Sequence, residues 1–129
     1  MTVDLFCLVA TALWGFVLVL IEVLGRTRAA GRAWNMGNRE TTPDFPEWVN
    51  RCTRALANHK ENFPFFLTAV LVVHVSGHAS RVSAVASIVY LVARIAHGLL
   101  YTAGVTRVRS GVHILSVLAS FVILSQLAV

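Results

Sequence analysis

The sequence predicts an all-α integral membrane protein, a bundle of four spanning helices. Three observations lead there. The 129-residue chain is 57% hydrophobic and only 13% charged, too little charge to cover a soluble domain of this length. Its apolar residues fall into four runs, parted by polar segments of turn composition. Its arginines gather beside the ends of those runs, the positive-inside pattern of a membrane protein. The formal charge of +5 is therefore read as topology and not as nucleic-acid binding. The length suits a single domain, residues 1–129.

The first helix is expected over about residues 5–24, long enough to cross roughly 30 Å of hydrocarbon. It follows Asp4 and lacks a basic n-region, so it is expected to stay in the membrane and not to be cleaved as a leader. The second helix is expected over 48–76. It starts polar at Trp48, becomes wholly apolar from Phe63 to Val75, and should project beyond the membrane at its start. Pro64 removes the hydrogen bond to the Lys60 carbonyl and favours a bend. That bend either serves packing alone or opens room beside Glu61. The third helix is expected over 82–102 and carries Arg94 and His97. The fourth, over 111–129, has no Asp, Glu, Lys or Arg. The turns at Gly77–Ser80 and Thr102–Gly104 are short, so successive helices should be antiparallel neighbours.

Orientation follows from the arginines. The first loop holds Arg26, Arg28, Arg32 and Arg39, with Arg51 and Arg54 just beyond, and the third loop holds Arg107 and Arg109. The opposite side has only Arg81 and Asp4. The arginine-rich side is expected to be cytoplasmic, with both termini outside. Cys7 and Cys52 then lie about a bilayer apart and are expected to be free thiols. In the first loop, Asn35 to Glu40 has turn composition, and Asp44 or Glu47 is placed to favour the dipole of the second helix.

Two helix faces carry candidate chemistry. Arg54, Asn58 and Glu61 share one stripe of the second helix. A guanidinium, an amide and a carboxylate are costly beside lipid, and together they suit a zwitterionic ligand. The Arg would take its carboxylate and the Glu its ammonium. Arg94, His97 and Tyr101 share a face of the third helix, with Arg94 about 10 Å inward from Tyr101. An arginine that deep needs a partner, and Glu61, in this chain or a neighbour, is the one expected. Either the pair only locks two helices together or it belongs to a ligand site. No metal centre is expected, because the histidines are scattered and the cysteines are apart. His74, His78 and His113 read as interfacial or packing residues.

The order Arg54-Ala55-x-x-Asn58-x-x-Glu61-x-x-Pro64-x-Phe66, then Ala93-Arg94-Ile95-Ala96-His97-x-x-x-Tyr101, then Arg109-Ser110, resembles the MAPEG superfamily, the membrane-associated proteins in eicosanoid and glutathione metabolism. The resemblance covers almost the whole chain. The second motif is similar to microsomal prostaglandin E synthase and microsomal glutathione transferases, and the Gly37-Asn38-Arg39-Glu40 loop is similar to bacterial members. The resemblance implies a homotrimer that holds glutathione between subunits near the cytoplasmic side. It implies that Arg54, Asn58 and Glu61 hold the peptide's polar ends, that His97 and Tyr101 line the site, and that Arg94 supports the charge network. Arg109 would stabilise the glutathione thiolate, with Ser110 assisting, and Arg26 resembles another glutathione-contacting arginine. The Tyr101-to-Arg109 spacing is one residue shorter than in the prostaglandin synthase, which leaves Arg107 as the alternative group at the sulfur. The implied activity is a glutathione-dependent transferase or peroxidase acting on lipophilic electrophiles or hydroperoxides drawn from the bilayer.

Two other functions compete. One is a non-catalytic relative that binds lipid or a partner protein, a role that does not require a full thiol-peptide site. The other is a small four-helix cation transporter with Glu22 as its membrane carboxylate. Glu22 is, however, spaced to pair with Arg26 at i,i+4, and an arginine-lined pocket repels cations.

Overall fold

The computed structural model describes residues 1–128. Its long helices are α1 (Val3–Ala30), α3 (Glu47–Val75), α4 (Arg81–Ala103) and α5 (Arg107–Ser125), with a short α2 (Arg32–Met36) between the first two. A single 3-10 turn, Gln126–Ala128, follows α5. The expected end of the fourth helix at Val129 lies outside the described residues.

α1, α4 and the α5 segment are each long and apolar enough to cross a bilayer. α3 matches them in length, with 29 residues spanning about 43 Å, yet it lacks a window of the same apolar character. Lys60, Glu61 and Asn62 stand directly before its apolar run, so its first half is polar and only its second half is lipid-like. Of the four spanning helices expected, three therefore meet the composition of a membrane span. α3 continues through Pro64 as one helix.

α1 runs further than expected, through Arg26 and Arg28 to Ala30. Glu22 and Arg26 pair across one turn at 3.0 Å, which supports the added helix. Gly31, at φ 86°, ends it. Part of the expected turn is then taken up by α2, and Arg39 adopts a positive φ of 56° beyond it. Asn35 ties this segment to α1 by donating to Thr27 Oγ1 at 2.9 Å. Arg39 donates back to the Asn35 carbonyl and side chain. Glu47 is the first residue of α3, where its charge favours the helix dipole.

α3 and α4 form the centre of the bundle, and both α1 and α5 pack on them. The core is built around Phe66, stacked on Tyr90 at 3.8 Å between ring centroids, with Cys7, Val70, Val73 and Ile123 around them. Small residues let helices approach closely: Ser83 and Ser87 on α4 and Ser116 and Ser120 on α5 are all buried. Their hydroxyls are satisfied locally, Ser116 by the His113 carbonyl at 2.7 Å and Ser83 by the Ser80 carbonyl at 2.9 Å. Ser87 instead donates to the buried Asp4 at 3.0 Å and so fastens the start of α1 to α4. The start of α4 carries a capping box made by Ser80 and Ser83. Both cysteines are free and buried.

Gly98 sits at a close crossing of α4 on α1. A Cβ there would stand 2.8 Å from Cζ2 of Trp14. The same tryptophan donates from Nε1 to the Arg94 carbonyl at 3.2 Å. Gly98→Val is therefore expected to destabilise the bundle by about 1–3 kcal/mol through overpacking. Thermal unfolding in detergent should show a lowered midpoint. An unchanged midpoint would mean that the crossing widens freely.

Candidate functional site

The contacts bring the arginine-rich helix ends together. α4 finishes at Gly104, whose φ of 82° allows the chain to reverse, and α5 begins at Arg107. That short turn folds Arg109 back over Tyr101, with the guanidinium carbon 4.1 Å from the ring centroid. A guanidinium on an aromatic face is attracted by the ring quadrupole. The His97 ring meets Tyr101 edge-on at 5.6 Å, and His113 lies 5.7 Å from His97. Arg54, on α3, lies within electrostatic reach of Tyr101. Arg51 fixes α3 against the same turn by donating from Nε to the Thr102 carbonyl at 3.0 Å.

Arg54 is exposed and pairs with Glu47 at 2.7 Å. The Arg54 hydrogen bond holds the Glu47 carboxyl below its usual value. The pair is thus intact at neutral pH and is lost only as pH falls through that lowered value. Glu61 is exposed at the edge of the bundle.

Arg94 is only 1% exposed, and its partner differs from the one expected. Nη2 donates to Asn58 Oδ1 at 3.0 Å, and within the chain it makes no ion pair with Glu61. The reason is angular. Asn58 and Glu61 are three residues apart, so their side chains diverge by about 60° around the helix. The half-buried Asn58 turns toward α4, and Glu61 turns out. Arg94 Nε and Nη1 are buried without any hydrogen-bond partner in the chain. A charge held this way is costly, and the guanidinium lies within electrostatic reach of His97 and His113.

The remaining expected residues stand apart. Arg26 bridges Glu22, Thr53 at 3.2 Å and the Phe45 ring at 5.5 Å, on the α1–α3 side. Glu22 is thereby neutralised near the membrane end, which weakens it as a cation-carrying carboxylate. Ser110 is exposed, and its hydroxyl is 3.4 Å from the Thr106 carbonyl. Arg107 is exposed, whereas Arg109 is the arginine that covers Tyr101.

His113, read from the sequence as an interfacial or packing residue, lies beside His97 in this cluster. Its spacing of four from Arg109 places both on one face of α5, a pattern that could have found it. His59 is also buried and stacks on Phe63 at 5.8 Å. Nothing in its spacing distinguishes it from a core residue.

Beside the cluster, a groove of about 550 Å³ opens between α3 and α5 with Tyr90 of α4 in its wall. Phe65, Val117, Phe121 and Leu124 make most of its lining apolar, and Asn62 stands at the end nearer Asn58. The Asn62 amide donates to the Asn58 carbonyl at 2.8 Å, so the groove adjoins the polar cluster through consecutive turns of α3. Basic and polar groups at one helix end and an apolar trough alongside suit a polar ligand meeting a lipophilic one.

Comparison with known proteins agrees with this architecture. No curated protein and no solved structure matches the chain. The family model described as MAPEG family matches residues 4–129. That family is a membrane helical bundle associated with glutathione use, and it includes glutathione transferases and related enzymes alongside non-catalytic members. With essentially its whole length matched, this chain belongs to the MAPEG family.

Proposed function

We propose that the protein is a membrane glutathione-dependent transferase or peroxidase acting on lipophilic electrophiles or hydroperoxides. The observation that carries this is the seating of Arg109 over Tyr101 at 4.1 Å, at the helix end where Arg54 and His97 also converge. The residues fit the ligand's charge. Arg54, Arg94 and Arg109 outnumber the local acids Glu47 and Glu61, which suits a peptide with two carboxylates and one ammonium. The two unpartnered donors of Arg94 also call for an acceptor.

Glutathione, when bound, supplies a thiolate that serves as nucleophile or reductant. Arg109 places a permanent positive charge where it favours that thiolate, by about 1.4 kcal/mol for each unit of pKa lowered. Arg54 and Asn58 hold the peptide's polar ends, with Glu61 offered to its ammonium. His97 and Tyr101 shape the wall between α3 and α5, with Arg94 behind Asn58. The apolar groove beside Asn62 admits the lipophilic substrate from the bilayer. Ser110 and Arg26, which lie off the cluster, are placed in this scheme through a homotrimer, where a neighbouring subunit closes the exposed Arg54–Glu61 edge. The arginine-rich end faces the cytoplasm, as in a bacterial inner membrane.

Arg54→Ala and Glu61→Ala are each expected to weaken glutathione binding, Arg54→Ala by roughly tenfold, as loss of a charge-assisted hydrogen bond of about 1.5 kcal/mol would. Calorimetry on the folded variants tests this, and wild-type affinity in both would remove α3 from the site. For orientation, a thiol-labelling scan should find position 40 reachable from the cytoplasm and position 79 from outside. The reverse pattern would put the cluster on the other face.

A further inference from the structure

We propose that the end of the bundle opposite the arginine cluster carries a site for one anionic phospholipid, seated between α4 and α5 with its phosphate on Arg81. A groove of about 500 Å³ lies there, open along its length, with Arg81 at its mouth. Below the arginine its walls are apolar: Val82, Val85 and Val89 from α4, Leu118 and Val122 from α5. From Arg81 to Val89 the groove descends about 12 Å along the helix, the direction an acyl chain takes from a membrane surface inward. Val82, Val85, Leu118 and Val122 are all well exposed, Val85 at 61%.

Charge complementarity selects the occupant. Arg81 is exposed and, among the described residues, makes no ion pair within 4.0 Å. Among the described residues, the acidic side chain at this end is Asp4, which is 4% exposed and accepts from Ser87, so it does not neutralise Arg81. Apart from Arg94, buried within α4, the remaining arginines lie in or beside the loops at the other end. An exposed guanidinium above an apolar slot presents a planar fork to a phosphate and a wall to its tail. Ser80, next to it, is already held by Gln126 at 2.7 Å, which fixes the ends of α4 and α5 on either side of the mouth.

Native mass spectrometry of the detergent-purified protein, titrated with phosphatidylglycerol and with phosphatidylcholine, tests the site. Wild type should bind one phosphatidylglycerol per chain about fivefold more tightly than phosphatidylcholine, the effect of about 1 kcal/mol for one arginine near a membrane surface. Arg81→Gln should bring that ratio close to one, and Arg81→Lys should restore part of it. Val85→Trp, which fills the slot and leaves the charge in place, should also lose the tight lipid. An unchanged ratio in folded Arg81→Gln overturns the proposal. So does disulfide cross-linking between copies carrying Val85→Cys in oxidised membranes, since a second chain would then cover the groove.

Discussion

Replacing Arg109 by Ala is expected to abolish most of the thiolate signal of bound glutathione near neutral pH. Thiolate absorbs in the ultraviolet and thiol does not, so the change is read directly. In the proposed site, the guanidinium over Tyr101 is the positive charge that acts on the sulfur. Removing it returns the thiol toward its ordinary pKa, above neutrality. Each unit regained reduces the thiolate fraction about tenfold, and conjugation of a generic aryl halide should slow by about ten- to a hundredfold. Ser110→Ala, at an exposed hydroxyl, should leave the absorbance nearly unchanged. If Arg109→Ala retains both signal and rate, another cation acts on the sulfur, and Arg107 is the first to replace.

The second large effect is on stability. Asn58→Leu should destabilise the protein by about 3–5 kcal/mol, because it strips the one hydrogen-bond partner from a buried guanidinium and leaves the charge in place. Arg94→Met should cost far less, since it removes the charge together with its desolvation. The two variants also separate a helix lock from a ligand site. Arg94→Met should fold and yet bind glutathione more weakly, because its free donors no longer serve the charge network. Thermal unfolding and calorimetry on the same preparations give both results. Equal destabilisation by the two substitutions, with glutathione affinity intact in Arg94→Met, would make Arg94 a structural lock only.

Much of the fold is legible in the pattern of apolar runs, because membrane helices must satisfy their backbone within one segment. The three most apolar helices stand close to where hydropathy puts them. The ends are less legible. α1 extends past residue 24 because Glu22 and Arg26 pair across a turn, and local pairing of that kind is invisible to hydropathy. α3 shows a different limit. Its helical period is clear, but whether a half-polar helix spans a bilayer depends on its neighbours.

Within the site, shared faces are legible and partners are not. The spacings of Arg94, His97 and Tyr101 place them on one side of α4, and the contacts of all three follow. The choice of Asn58 over Glu61 as the partner of Arg94 rests on the rotation of α3 about its axis, which packing against α1 and α4 decides. Arg109 reaches Tyr101 through the Gly104 turn, and turn geometry alone separates it from Arg107. The contact of Trp14 with the Arg94 carbonyl joins residues 80 apart in sequence, and no local pattern announces it.

Glutathione binding, with the thiol held as thiolate, is the proposed property on which the others depend. The direct measurement is a titration of purified wild-type protein with glutathione and with an S-alkyl analogue, followed by calorimetry and ultraviolet absorbance at neutral pH. Saturable binding of both ligands, with thiolate absorbance rising for glutathione alone, is the result expected. Binding without thiolate or turnover over several electrophiles and hydroperoxides would make the protein a non-catalytic member of its family, and no binding at all would contradict a glutathione site in this bundle.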